Sequence, residues 1–236
     1  MIELPIETQK GENAYLHLTH PFAVIYTEPK IFPWLYENFI NIYLSPTNDL
    51  MYAGYEFEFT PKCLFDFCEF HKDTWVSETT DFITYAIRAL EESNYYLYIW
   101  LNEYYLPGQS AYLHYNYRHV FMLYGYDERD RVFLAYGMDG NLRFSKLKFT
   151  FDDVYSAFLS GNELAKKDDV VLTLFRLKQM DYEYSFSIDR FNKQLLSYTL
   201  GTDCASECFW EVGPHHSYSA KLPYGRNAYA AWIDFF

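Results

Sequence analysis

The runs Tyr95-Tyr-Leu-Tyr-Ile-Trp-Leu101, His119-Val-Phe-Met-Leu-Tyr-Gly125 and Arg131-Val-Phe-Leu-Ala-Tyr136 decide the fold, with Leu142-Arg-Phe-Ser-Lys-Leu147 as a fourth. Aromatic and β-branched residues alternate with others in these runs. Asp127-Glu-Arg-Asp130 and Met138-Asp-Gly-Asn141 punctuate them, as hairpin turns do between strands. The spacing predicts an antiparallel sheet over residues 95–147. His119 opens the second strand beside Arg118, where the sheet can hold its backbone while its ring faces a cleft. The same position also suits an ordinary half-buried imidazole.

Outward from this sheet the pattern turns helical. Thr80 or Asp81 caps a helix that carries Phe82, Ile83, Ala86, Ile87 and Leu90 on one face and ends near Ser93. Between the first two strands, Tyr104 to Tyr117 form a loop around Pro107-Gly108 that is long and aromatic enough to lie over a pocket. Thr150 to Phe158 read as a capped helix closed by Gly161, Val170 to Lys178 as another strand, and Ser187 to Tyr198 as a capped amphipathic helix ending at Gly201. Upstream, Pro33 suits a first helical turn, and Trp34, Leu35, Asn38, Phe39, Ile42 and Tyr43 trace one stripe, so a helix is expected over 31–44. A strand is expected over 51–59, stopped by Pro61. Pro5, Pro21 and Pro29 break the first 30 residues into short pieces, and Pro21 speaks against a helix continuing past it.

The fold class is therefore α+β, a central antiparallel sheet with packed helices. One domain is expected over residues 1–236, with its core at about 31–178. A helical extension over about 179–236 ends as a helix without a cap and looks truncated.

Half of the 236 residues are hydrophobic, enough for a sizeable core, and the apolar set includes 25 Tyr and 21 Phe. Buried tyrosines need hydrogen-bond partners, so a network or a tyrosine-lined groove is expected. A net charge of −13 speaks against a phosphate-backbone partner, and hence against nucleic acid. No apolar run approaches a membrane span, and the first residues lack a basic start and apolar middle, so a cytoplasmic protein is expected.

Four cysteines, Cys63, Cys68, Cys204 and Cys208, are too few for a disulfide scaffold and fit reduced thiols. His17 and His20 alone do not make a metal site. The spacing of Cys204, Cys208, His215 and His216 matches no standard zinc pattern, so neither metal nor cofactor is expected.

Leu101-Asn-Glu-Tyr-Tyr-Leu-Pro107, then His119, Gly125-Tyr-Asp127 and the helix beginning Phe151-Asp-Asp-Val-Tyr155 resemble the N-terminal domain of butirosin biosynthesis protein H and its relatives in peptide and antibiotic gene clusters. That family is papain-like and similar to bacteriocin-processing cysteine peptidases. The resemblance runs from about Trp34 to Phe236 and is specific between about Thr80 and Phe158. It implies acyl transfer: a cysteine attacks a thioester-bound acyl group, and a histidine takes the thiol proton before the acyl group passes to an amine. On this chain His119 matches the base. Asp139 is a displaced candidate for the group that orients it, and Tyr136 a neutral substitute. Glu103, Tyr104, Tyr105, Tyr117 and Tyr136 are the expected substrate-binding residues.

The family's nucleophile falls upstream, on or near the first helix, and here no cysteine precedes Cys63. Cys63 or Cys68 could serve only if the fold brings one to His119, and Thr19 or Ser45 would need strong activation. The expectation is a catalytically impaired or non-catalytic member that binds a peptide, an acyl-carrier protein or a peptide-biosynthesis enzyme. The alternative is an active acyltransferase or amide-processing enzyme using His119.

Overall fold

The computed structural model describes residues 1–8, 16–38, 40, 42–44, 50–52, 64–73, 75, 81–179, 184–202 and 225–235. The expected antiparallel sheet with packed helices is present. In chain order the described strands are β1 (Ile2–Glu3), β2 (Ile42–Leu44), β3 (Leu50–Tyr52), β4 (Phe65–His71), β5 (Tyr96–Asn102), β6 (Arg118–Asp127), β7 (Val132–Met138), β8 (Phe144–Thr150) and β9 (Val170–Leu177). The described helices are α1 (Leu16–Ile25), α2 (Phe32–Asn38), α3 (Phe82–Glu92), α4 (Phe151–Leu164), α5 (Ile188–Leu200) and α6 (Arg226–Phe235).

Contacts divide the chain into two compact units. One comprises Met1–Thr27 with Asp66–Leu177, and the other Glu28–Phe65 with Lys178–Phe236.

The first unit is built on the sheet β4-β9-β5-β6-β7-β8, with β1 pairing the far end of β6. The register follows from the quoted runs: Leu101 lies opposite His119, Ile99 opposite Phe121, Tyr98 opposite Met122, and Met122 in turn opposite Tyr136. Directly paired residues share a face and neighbours along a strand alternate. Tyr98, Met122 and Tyr136 therefore point one way, and Leu101, His119 and Phe121 the other. Helix α1 covers the tyrosine face, where His20 meets Tyr98, Tyr136 and Phe144 edge-on at ring distances of 5.4, 5.8 and 6.2 Å. On the His119 face, Phe121 meets Phe149, and Phe133 meets Phe151 at the start of α4. Phe121, Phe133 and Phe158 are fully buried, each contributing roughly 2–3 kcal/mol.

The capping signals appear where the sequence places them. Asp81 caps α3, Thr150 and Asp153 form a reciprocal capping box at α4, and Ser187 and Gly201 bracket α5. Three readings are corrected. Helix α1 runs through Pro21. Phe22, Ala23, Val24 and Ile25 beyond it are all buried, and that burial outweighs the roughly 3 kcal/mol a mid-helix proline costs. Helix α2 stops at Asn38, because Ile42–Leu44 pairs antiparallel with Leu50–Tyr52. Helix α4 continues past Gly161 to Leu164: a Cβ there would lie 2.9 Å from the Trp100 carbonyl, so Gly161 lets the helix rest on β5 rather than ending it. Of the strand expected over 51–59, only 51–52 lie within the described residues.

In the second unit, Glu37 on α2 is a buried carboxylate. It accepts from Tyr184 Oη (2.6 Å), the Ser187 backbone N–H (2.5 Å) and Arg190 Nη1 (2.9 Å), which ties α2 to the start of α5.

Candidate functional site

The site begins where β5 and β6 part. Asn102 ends β5 and its side chain caps a 3-10 turn over Glu103–Tyr105. Because Leu101 is paired with His119, Glu103 two residues on returns to the same face as His119. Its backbone N–H donates to the Tyr117 carbonyl at 2.9 Å, which carries the pairing one step past the strand. The two side chains then meet: His119 Nδ1 donates to Glu103 Oε1 at 2.6 Å, with side-chain exposures of 13% and 4%. A charge-assisted bond of this length from a carboxylate shielded from water fixes both the ring's orientation and its tautomer. With the proton on Nδ1, Nε2 presents its lone pair, and no described residue bonds to it.

Aromatic rings frame the imidazole. Tyr117 lies at 5.3 Å and Phe121 at 5.8 Å between centroids, both on the same strand face. Beyond Tyr117, Tyr115 continues the row at 6.5 Å. Tyr105, Leu113, Tyr115 and Tyr117 are exposed, while Leu106 and Ala111 of the same loop are fully buried and anchor it. The loop's other support is the β7–β8 turn. A Cβ on Gly140 would stand 2.4 Å from the Gly108 carbonyl, so two backbones touch there and only glycine fits.

The expected site residues divide accordingly. His119, Glu103 and Tyr117 come together. Tyr104 and Tyr105 stack edge-on at 5.1 Å within the 3-10 turn that carries Glu103. Asp139 instead accepts from the backbone N–H groups of Asn141 and Arg143, both at 2.9 Å, and from Ser145 Oγ at 3.2 Å. The bond from the Arg143 backbone, with those from Asn141 and Ser145 and the nearby Arg143 charge, holds its carboxyl below the usual range. It organises its own turn, and the carboxylate that orients His119 is that of Glu103. Tyr136 lies on the opposite face against His20, and burial raises its hydroxyl pKa.

Cys68 is an exposed, free thiol on the edge strand β4. Two strands, β9 and β5, lie between β4 and β6, so three inter-strand spacings separate Cys68 from His119, about 14 Å across the sheet. That is beyond hydrogen-bond reach. Cys63, Ser45 and the stretch from Cys204 to His216 lie outside the described residues. Among the described residues, no three His, Cys, Asp or Glu side chains converge as a metal site would require, and no helix is long and apolar enough to cross a membrane.

The sequence placed Glu103 in the site but not as the orienting acid. The signal was parity: with the strands registered on Leu101 and His119, the residue two beyond Leu101 shares the histidine's face. The other unforeseen feature is His20, which is wholly buried beside the Tyr136 backbone, with neither ring nitrogen in a well-aligned hydrogen bond. Its pKa is lowered to about 3, by burial first and then by the charge of His119, and the Tyr136 backbone only partly offsets this.

Comparison of the chain with protein-family models, with curated proteins and with solved structures finds no match.

Proposed function

We propose that the chain handles an acyl or peptidyl group at His119, with the imidazole as general base in acyl transfer or amide processing. The observation that carries this reading is the 2.6 Å bond from His119 Nδ1 to the buried Glu103 carboxylate, which leaves Nε2 as the basic atom. A base of this kind takes a proton from a nucleophile and later returns it to a leaving group. Positioned imidazoles contribute roughly 10²–10⁴-fold to such steps. The orienting acid sits just past the end of the preceding strand, β5, rather than after the following strand. The row of Tyr115 and Tyr117 leading to the ring supplies a surface for the substrate. The resemblance to the butirosin biosynthesis protein H family supports the reaction class and a place in peptide or antibiotic biosynthesis.

A second reading is favoured by the placement of Cys68, about three strand spacings from the base. In it the chain is a non-catalytic member of that family, and the exposed tyrosines bind a peptide, an acyl-carrier protein or a partner enzyme.

Intact-mass measurement after incubation with a short acyl thioester separates the two. Transfer predicts a covalent acyl adduct on the chain that forms more slowly in His119→Ala. A wild-type chain that binds the thioester or its carrier but never acquires the added mass would sustain the binding reading and reject the catalytic one.

A further inference from the structure

We propose that Asn102 is a positioning residue for the Glu103–His119 pair, an inference that rests on the reading of that pair as the working site. Asn102 is the last residue of β5, directly opposite Arg118, and is fully buried. Its side chain makes four hydrogen bonds. Oδ1 accepts from the Tyr104 N–H at 3.2 Å and the Tyr117 N–H at 3.0 Å. Nδ2 donates to Asn116 Oδ1 at 2.8 Å and to Ser160 Oγ at 2.9 Å. This is the usual bonding complement of a side-chain amide. Backbone N–H groups only donate, so the oxygen must face Tyr104 and Tyr117, which settles the orientation of the amide.

The choice of partners sets this residue apart from an ordinary turn cap. Tyr104 directly follows Glu103, and Tyr117 stands two residues before His119, on the same strand face. One carbonyl oxygen therefore holds the two backbone segments that carry the acid and the base. The Glu103 N–H to Tyr117 carbonyl bond closes the same frame from the other side. Through Ser160 the amide is also fastened to α4, which Gly161 allows to rest on the β5 backbone. A short bond such as that between Nδ1 and Oε1 tolerates little displacement of its ends, since hydrogen bonding weakens steeply as alignment is lost. Releasing the frame should therefore separate the pair before it unfolds the sheet, whose large buried rings, Phe121, Phe133 and Phe158, make none of these bonds.

The test is proton and nitrogen NMR of the histidine-labelled 236-residue chain. Wild type should show a strongly deshielded, slowly exchanging His119 Nδ1 proton and a single tautomer. Asn102→Ala should lose that resonance and mix the tautomers while keeping its folded amide spectrum. Asn102→Asp preserves an acceptor for both backbone N–H groups and should retain the resonance. Ser160→Ala cuts only the tie to α4 and should retain it too. If Asn102→Ala does not fold, Asn102→Ser takes its place, because a hydroxyl is too short to bridge both amides.

In thioester turnover, Asn102→Ala should lower kcat by about 10-fold with KM little changed, the pattern of a group that acts through the base. A folded Ala or Ser variant with the wild-type Nδ1 resonance would overturn the proposal. The resonance is read without turnover, so a chain that never transfers an acyl group tells against the function alone and leaves this test standing.

Discussion

Replacing His20 with Phe should remove much of the protein's sensitivity to mild acid. The His20 ring is wholly buried between Tyr98, Tyr136 and Phe144, with neither nitrogen in a well-aligned hydrogen bond, and its pKa falls from 6.5 to about 3. The direction follows from linkage. Above pH 6.5 the ring is neutral both folded and unfolded, and His20 contributes no pH dependence. Below it the unfolded chain takes up a proton that the folded chain refuses, so stability falls with pH until the folded ring titrates near pH 3. Each unit costs about 1.4 kcal/mol, and the whole window roughly 5 kcal/mol. Full burial leaves no solvent screening to discount. The carboxylates with lowered pKa values, Asp81 and Asp139, lose their contribution below the usual carboxylate range, so the interval down to about pH 4.5 excludes them, and the difference between wild type and His20→Phe reads His20 alone.

Urea denaturation of wild type should lose about 3 kcal/mol over that interval, against a total stability of the order of 5–15 kcal/mol. His20→Phe keeps a ring of similar shape and leaves no buried nitrogen unsatisfied. It should be at least as stable at neutral pH and lose about 3 kcal/mol less than wild type over that interval. Parallel pH dependences for the two proteins would mean that the buried imidazole protonates in place.

Three further outcomes concern the frame around the site and the second unit. Gly140→Ala drives a Cβ to 2.4 Å from the Gly108 carbonyl, and should cost about 1–3 kcal/mol by thermal or urea melting; an unchanged midpoint would mean the loop and turn do not touch. Thr150→Ala breaks the capping box of α4, in which the Asp153 N–H donates to Thr150 Oγ1 at 3.1 Å and the Thr150 N–H to Asp153 Oδ2 at 3.2 Å, and should cost about 1 kcal/mol in urea unfolding. Glu37→Ala strips Arg190, Tyr184 and Ser187 of a shared buried acceptor and should destabilise the second unit by about 3 kcal/mol. A loss under about 1 kcal/mol in hydrogen exchange of α5 would show that water replaces the carboxylate freely.

The sheet was legible because β5, β6, β7 and β8 each alternate within a single run, and the turns between them are marked by Asp, Gly and Asn. The caps at Asp81, Thr150 and Ser187 were legible for the same local reason. What escaped was set by distant partners. Helix α1 carries Pro21 and reads as broken, yet the sheet it covers holds it helical. Ile42–Leu44 continues a helical stripe in sequence, but its backbone groups find Leu50–Tyr52. Gly161 looks like a stop and is a contact. In the site, His119 was recognisable from its place at a strand mouth. Its acid was not, because identifying Glu103 needs the register of β5 on β6 across the long loop that joins them, whereas Asp139 stands where the family's orienting acid is expected but spends its oxygens on its own turn.

A working base at His119 depends on its pairing with Glu103. The decisive measurement is thiol release from an acyl thioester across pH for wild type, His119→Ala and Glu103→Gln. Wild type should release thiol, His119→Ala should not, and Glu103→Gln should fall about 100-fold in kcat with KM nearly constant, since a neutral amide no longer stabilises the imidazolium. Equal rates in all three proteins, or full activity in Glu103→Gln, would contradict that dependence.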